Sequence, residues 1–293
     1  MPMARVTAYV PVYNAAKFLA GCIESLHAQT LAPIEILVID DGSSDNSLEI
    51  AHRYPSVRVI RHDRNRGLAA ARNTAFRSAK CELVAALDAD CIAEPSWLAN
   101  LAEPMQNVDV AGAGGFLKEG IQDSLADRWR AAHMPQEWGP QFIRNPKFLF
   151  GCNNIFRKSA VIEVGGYDES MRTNGEDCDL SRRLRAKDWQ LIYNPAARAV
   201  HRRSDTVSTI LDNYWRWWKF GVSAYSGGIS LRSVFGHALF VHLRYTFKEA
   251  VVRDLRAHRL MLLPLDFALL FYLPYRDFRL WLKSRFAHRN QSS

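Results

Sequence analysis

The chain has 293 residues, 48% hydrophobic and 23% charged, with a formal net charge of +8, a composition that excludes a disordered chain and suits a protein with a large buried core. Five cysteines (Cys22, Cys81, Cys91, Cys152 and Cys178) include no Cys-x-x-Cys pair, which argues against a zinc ribbon or a disulfide framework and favours a reducing setting. Met1–Val6 leads directly into a strand-like run without a signal-peptide hydrophobic region, so the expected location is cytoplasmic.

Val6–Val10 and Ile34–Ile39 are continuous apolar runs, as expected of parallel strands covered on both faces, and Phe18, Cys22 and Leu26 recur between them at helical spacing. Val57–Ile60 and Leu83–Leu87 predict a third and a fourth strand, with a helix over Gly67–Ser78 between them. Such alternation implies right-handed βαβ units in a doubly wound sheet. Farther on, Val108–Gly115 predicts a strand, Phe148–Phe156 a strand interrupted at Gly151–Asn154, Glu176–Ala186 a helix, and Leu191–Tyr193 a short strand leading through Pro195 to His201. Beyond Asp212 the pattern turns helical: Asp212–Gly221, Val234–His258, and Leu260–Leu282 broken at Pro264 and Pro274.

Charge is unevenly distributed. Residues 1–200 carry a net −1, residues 201–230 +2 and residues 231–293 +7, and 17 of the 33 aromatic residues lie between Tyr214 and Phe286. The basic residues are interleaved with long apolar runs, not with Gly, Ser or Asn, which favours an anionic membrane surface over nucleic acid as partner. Leu239, Leu243, Phe247, Val251 and Leu255 recur every four residues among Arg244, Lys248, Arg253, Arg256 and Arg259, the pattern of a basic amphipathic helix. Leu260–Tyr275 is apolar but contains Asp266 and two prolines, and falls short of the ~20 residues needed to span a bilayer. The expectation is a monotopic anchor on the inner face of the cell membrane; the alternative is a helical cap packed on the core.

The chemistry-bearing residues cluster where strands end. Asp88-Ala89-Asp90 places two carboxylates at the end of Leu83–Leu87, a seat for a hard divalent cation and the phosphates it carries, or else an ordinary turn capping the next helix. Asp40-Asp41-Gly42-Ser43-Ser44-Asp45 repeats that arrangement after the second strand, with Gly42 suited to a tight turn. Arg72, in the helix after Asn65-Arg66-Gly67, reads either as a diphosphate partner or as a solvated surface cation. Two acidic clusters at one sheet edge favour a shared polyanion and cation site over two coincidental caps.

Pro11-Val12-Tyr13-Asn14, Asp40–Asp45, Asn65-Arg66-Gly67, Leu87-Asp88-Ala89-Asp90, Gly151-x-Asn153, Gly165-Gly166-Tyr167-Asp168-Glu169 and Glu176-Asp177 occur in that order. Together they resemble the family 2 inverting glycosyltransferases of the GT-A fold, over about residues 4–220. The resemblance implies an α/β fold with a doubly wound, mostly parallel nucleotide-binding sheet in residues 1–220, and leaves residues 221–293 as a helical, membrane-associating extension. It implies a nucleotide-diphosphate sugar donor held near Pro11, Tyr13, Asn14, Arg72 and Asn153, with Asp41 at the base and Asp88 at the ribose or sugar. It also implies Mg²⁺ or Mn²⁺ on Asp90, with Asp88 and His201 as further ligands. Asp177 would be the general base and Glu176 its support; without the upstream motifs, both read as an acidic first helical turn. Asn213-Tyr214-Trp215-Arg216-Trp217-Trp218 is similar to the Gln-x-x-Arg-Trp motif of processive members, with Asn replacing Gln, and would place Arg216 and Trp217 at the acceptor.

The acceptor implied is a glycolipid, a polyprenyl-linked sugar or a growing polysaccharide; no nucleic acid is expected. Two rivals follow from the same residues. A sugar-phosphate nucleotidylyltransferase would share the sheet but calls for a Gly-rich, basic loop after the first strand. A non-catalytic membrane scaffold would not require Asp90 and Asp177 together.

Overall fold

The structure, a computed structural model, describes residues 4–171, 174–217 and 243–289. It forms two compact units: Met1–Ile121 with Pro135–Arg203, and Gln122–Met134 with Ser204–Ser293. The segment 122–134 and the helix around Asn213, which the sequence pattern groups with residues 1–220, therefore lie in the second unit.

The first unit is built on a nine-stranded sheet. Its strands are β1 (Val6–Val12), β2 (Glu35–Asp40), β3 (Val57–Arg61), β4 (Leu83–Leu87), β5 (Cys91–Ala93), β6 (Val110–Glu119), β7 (Ile143–Arg144), β8 (Asn153–Arg157) and β9 (Gln190–His201). The order is β3-β2-β1-β4-β8-β6-β9-β5, with β7 also paired to β9. Strands β1 to β4 are mutually parallel, β8 runs antiparallel to both β4 and β6, and β6 and β9 are parallel.

Covering both faces explains the uninterrupted apolar runs. Along β1, Val6, Ala8, Val10 and Val12 pack with Leu19, Ile23 and Leu26 of α1 (Ala16–His27). Tyr9, pointing the other way, packs with Ala71, Ala75 and Phe76 of α3 (Leu68–Ser78); α2 (Ser47–His52) lies between the two helices in sequence. The period of two along a strand divides one apolar run between two cores.

The strand predicted over Phe148–Phe156 is confined to β8, and the short strand predicted at Leu191–Tyr193 extends through Pro195 to His201. The extension is a bulge: β6 pairs Gly115 with Asn194 and then Phe116 with Arg198, leaving residues 195–197 outside the ladder. Pro195 is accommodated there because no ladder hydrogen bond is required of it.

In the second unit, the helix Leu125–His133 starts with a capping box in which Ser124 and Asp127 exchange hydrogen bonds. Asp127 Oδ1 also accepts the Asp205 N–H at 2.7 Å, and Asp205 Oδ2 lies 2.6 Å from Arg130 Nη1. These bonds tie the entry of the helix Val207–Arg216 to the segment before it. Trp129, Ile210, Tyr214, Trp215, Leu265, Leu269 and Leu273 form the core of this unit.

The helix Leu263–Arg289 runs through Pro274 without a break, and Pro264 lies in its first turn, where a missing N–H costs little. The predicted break at these prolines is thus corrected. The four-residue apolar stripe is also corrected where it is described. A π-helical segment, Phe247–Val252, shifts the inward positions to Thr246, Ala250, Val251 and Asp254, leaving Phe247 and Leu255 exposed. Leu239, Trp218 and the predicted helix start at Val234 lie outside the described residues. No helix among the described residues is long and apolar enough to cross a membrane.

Candidate active site

The C-terminal ends of β1, β2 and β4 place three loops at one sheet edge, where ligands meet open α/β sheets. Pro11, Tyr13, Asn14, Phe18, Asp88 and Asp90 line a cleft there. The loop after β1 is pinned by the loop after β2. Asn14, with positive φ, accepts the Ser44 and Asp45 N–H groups on Oδ1, while Asp45 Oδ2 accepts the Ala16 N–H. Tyr13 is left half exposed at the rim. Gly42 makes the turn with φ +76°, and a Cβ there would meet the Arg64 backbone at 2.7 Å.

Asp41, expected at a nucleobase, is 3% exposed and committed to its own scaffold. Its carboxylate accepts the Arg66 N–H at 2.9 Å and the Gly67 N–H at 2.8 Å, and His62 Nδ1 lies 2.6 Å away. It fastens the loop that starts α3.

Asp90 lies immediately before β5, and His201 ends β9. Strand register brings them together: His201 is the cross-strand partner of Cys91 in β5 and of Glu119 in β6. His201 Nε2 lies 3.2 Å from Asp90 Oδ2, and its Nδ1 lies 3.1 Å from both Glu119 oxygens. Burial would lower the His201 pKa, but these two carboxylates overcome that and push it up to about 9. Burial would likewise raise Asp90, yet the hydrogen bond and charge of His201 hold it below the ordinary carboxylate range. The Cys91 thiol, pushed up by burial, stays protonated and donates to Asp90 Oδ1.

The donor set fits a hard to borderline divalent cation. Asp90 and His201 bring ligand atoms within 4.8 Å of each other, and Asp88 Oδ1 is buried with no hydrogen-bond partner. Glu119, which the sequence pattern did not single out, occupies the position of the carboxylate that orients a metal-binding histidine. Its only sequence signal is its place at the end of an apolar strand. Replacing Glu119 by Gln is expected to weaken Mn²⁺ affinity about 10–100-fold while leaving the fold intact; calorimetric titration with Mn²⁺ measures it.

Asp177 lies in the first turn of α4 (Glu176–Arg185), which follows Gly175 with φ 94°. Its Oδ2 accepts the Gly151 N–H at 3.0 Å and its Oδ1 accepts the Cys178 N–H at 2.8 Å, so the side chain has one orientation and remains partly exposed. Arg72, expected at the diphosphate, is 2% exposed. Its Nη1 donates to Glu176 Oε1 at 2.8 Å, its Nη2 lies 3.6 Å from Asp88 Oδ1, and its guanidinium covers the Tyr167 ring. Gly151 is needed beside it, because a Cβ there would lie 2.1 Å from Nη1. The carboxylates converge through this cation: Asp88, raised by burial and lowered by Arg72, also feels the charges of Asp90 and Asp177.

Asn153 does not reach the cleft. It is fully buried, accepts the Trp97 indole N–H at 2.7 Å, and donates to the carbonyls of Phe116 and, in the β9 bulge, Ala197. The Asn153 amide, expected at the donor, satisfies backbone that the bulge releases from the ladder. Arg216 and Trp217 lie in the second unit. Arg216 donates to Asn213 Oδ1 at 2.6 Å, and Trp217 packs beside Tyr214.

A mostly parallel α/β sheet with this acidic edge defines the class of GT-A glycosyltransferase folds. The chain belongs to glycosyl transferase family 2, whose family model matches residues 7–165. It is 29% identical over 204 residues to the pre-mycofactocin glycosyltransferase of Mycobacterium tuberculosis, covering 67% of this chain and 42% of that one. It is 23% identical to the glucosyl-dolichyl phosphate glucuronosyltransferase of Haloferax volcanii, covering 72% of this chain and 75% of that one. Among solved structures, a mannosyltransferase from Pyrobaculum calidifontis in complex with GDP-Man and Mn²⁺ superposes with a TM-score of 0.60 at 19% identity, over 94% of this chain and 83% of that one. The chain spans about two fifths of the length of the Mycobacterium relative.

Proposed function

We propose that the protein catalyses metal-dependent transfer of a sugar, with inversion, from a nucleotide-diphosphate sugar to a hydroxyl of a lipid-linked or polysaccharide acceptor. The observation that carries this reading is the convergence on Arg72 of Asp88, beside the Asp90–His201 pair, and Glu176, beside Asp177. Asp90, His201 and Asp88 would hold Mg²⁺ or Mn²⁺, which neutralises charge on the departing diphosphate. Glu119 holds the imidazole ring so that Nε2 faces Asp90. The loops carrying Tyr13 and Asn14 enclose the donor, and Asp41 keeps the floor of that cleft in shape from behind.

Asp177 takes the proton of the acceptor hydroxyl. The acceptor oxygen then bonds to the anomeric carbon from the face opposite the diphosphate, the bond from that carbon to the phosphate oxygen breaks, and the configuration inverts. The Gly151 N–H occupies one Asp177 oxygen and so orients the carboxylate. Glu176, paired to Arg72, anchors the first turn of α4 beneath it. Two similar proteins support this scheme: the Pyrobaculum mannosyltransferase is in complex with GDP-Man and Mn²⁺, and the Haloferax relative is a glucosyl-dolichyl phosphate glucuronosyltransferase.

Incubation with a panel of nucleotide sugars and Mn²⁺ tests the reading. Release of nucleoside diphosphate from at least one donor, abolished by EDTA and restored by Mn²⁺, is the expected result. No release from any donor, with the folded state verified, would remove it.

The exposed face of the helix Leu263–Arg289 supports association with an anionic lipid surface. Phe267, Phe271 and Tyr275 follow one another at four-residue spacing and are 47%, 75% and 51% exposed, while Leu265, Leu269 and Leu273 fill the buried face. A helix apolar on two faces suits a lipid boundary. Co-sedimentation with phosphatidylglycerol vesicles at low salt is expected, and replacing Phe267 and Phe271 by Ser should abolish it.

A further inference from the structure

In the second unit, three buried side chains face one another: His133 at the end of the helix Leu125–His133, Asp254, and Asp266. Asp254 and Asp266 are both fully buried, and the His133 side chain is 4% exposed. Their ligand atoms all lie within 4.8 Å of one another. Asp266 interrupts the apolar run Leu260–Tyr275, where a carboxylate carries a large desolvation cost unless something compensates it.

Both carboxylates also meet donors from outside the cluster. Trp129 donates its indole N–H to Asp266 Oδ1 at 2.7 Å, and Arg259 Nη2 lies 2.9 Å from Asp254 Oδ1. His133 Nε2 lies 2.9 Å from Asp254 Oδ2 and 3.8 Å from Asp266 Oδ1, while Asp266 Oδ2 is buried with no hydrogen-bond partner. The His133 ring is stacked on Trp129, with centroids 4.4 Å apart, which fixes its plane. Ligand atoms of three side chains that converge, on side chains oriented by neighbouring donors, are the architecture of a metal site. We propose that His133, Asp254 and Asp266 form a second, structural divalent-cation site that takes Zn²⁺ or a similar ion through one nitrogen and two oxygens.

The chemistry of the three groups agrees. One imidazole nitrogen and two carboxylates are a donor set that Zn²⁺ accepts. A tetrahedral Zn²⁺ with arms of about 2.0 Å holds its ligand atoms about 3.3 Å apart, within the separation seen here. Binding would displace any proton held between the carboxylates, and the ion would join the helix Leu125–His133 to the two segments that follow residue 243.

The test uses the full chain, with the Asp90–His201 site disabled by Asp90→Asn so that the two sites are counted separately. After dialysis against Zn²⁺ and removal of free ion, Asp90→Asn is expected to retain one equivalent, and Asp90→Asn with Asp266→Asn none. Equal retention by the two proteins would overturn the proposal. Zinc-edge anomalous diffraction from the unmutated chain supplies a reading that does not depend on the variants folding. A peak bonded to His133 Nε2 and both carboxylates supports the site, and its absence in zinc-soaked crystals overturns it. Neither outcome bears on sugar transfer, which rests on the other unit.

Discussion

Replacing Asp177 by Asn is expected to leave donor binding close to that of the unmutated protein and to reduce transfer by about 10²–10⁴-fold, the contribution of a positioned general base. The substitution preserves shape and keeps an acceptor for the Gly151 N–H, giving up the bond from the Cys178 N–H in the first helical turn. Its main effect is to remove the capacity to take a proton. The loss therefore belongs in kcat at saturating donor and acceptor, with the donor Kd from calorimetry unchanged. A variant that turns over near the normal rate would exclude Asp177 as the base. One that loses donor binding as well would instead show that the carboxylate maintains the donor cleft.

Arg72→Met is expected to have the largest effect on stability, about 3–5 kcal/mol, because it leaves buried charge without its partner. Glu176 is 4% exposed and its Oε1 accepts from Arg72, while Asp88 Oδ1 has the same guanidinium as its nearest cation. Methionine fills the volume but provides no charge. Arg72→Lys should recover part of the loss, since an ammonium restores the charge without the fork that reaches two carboxylates at once. Urea denaturation of the three proteins measures this. A loss below about 1 kcal/mol for Arg72→Met, the level of an exposed ion pair, would mean that Glu176 and Asp88 do not depend on it. Activity should fall in parallel, because the same guanidinium links the strand end carrying Asp88 to the helix carrying Asp177.

Much of the first unit could be read from the chain alone. The apolar runs of β1, β2 and β4 are continuous because helices cover both faces, and that pattern survives without knowledge of which helix covers which face. The acidic strand ends were equally legible, because a carboxylate directly after a buried strand reaches the sheet edge by local geometry. What the residues do at that edge was less legible. Which groups Asp41 and Asn153 meet lies outside their motifs: Asp41 fastens the loop before α3, and Asn153 satisfies a carbonyl of the bulge in β9. The bulge follows from the register between β6 and β9, which local sequence does not encode. In the second unit, the four-residue apolar stripe failed for a related reason: the π-helical segment changes the periodicity on which the pattern depends.

The order of motifs, the alternation of strand and helix, the acidic residues at strand ends and the basic, aromatic C-terminal region were determined by the sequence itself, since each depends on neighbours a few positions away. The tertiary structure decided the pairings across long separations. Arg72 meets Glu176, 104 positions on; His201 is clasped by Glu119 and Asp90; and Asp266 is brought to His133. Spacing along a chain sets only the direction in which a side chain leaves its own element. Which charge it meets depends on how strands register and helices pack, and burial then makes each such meeting costly to break.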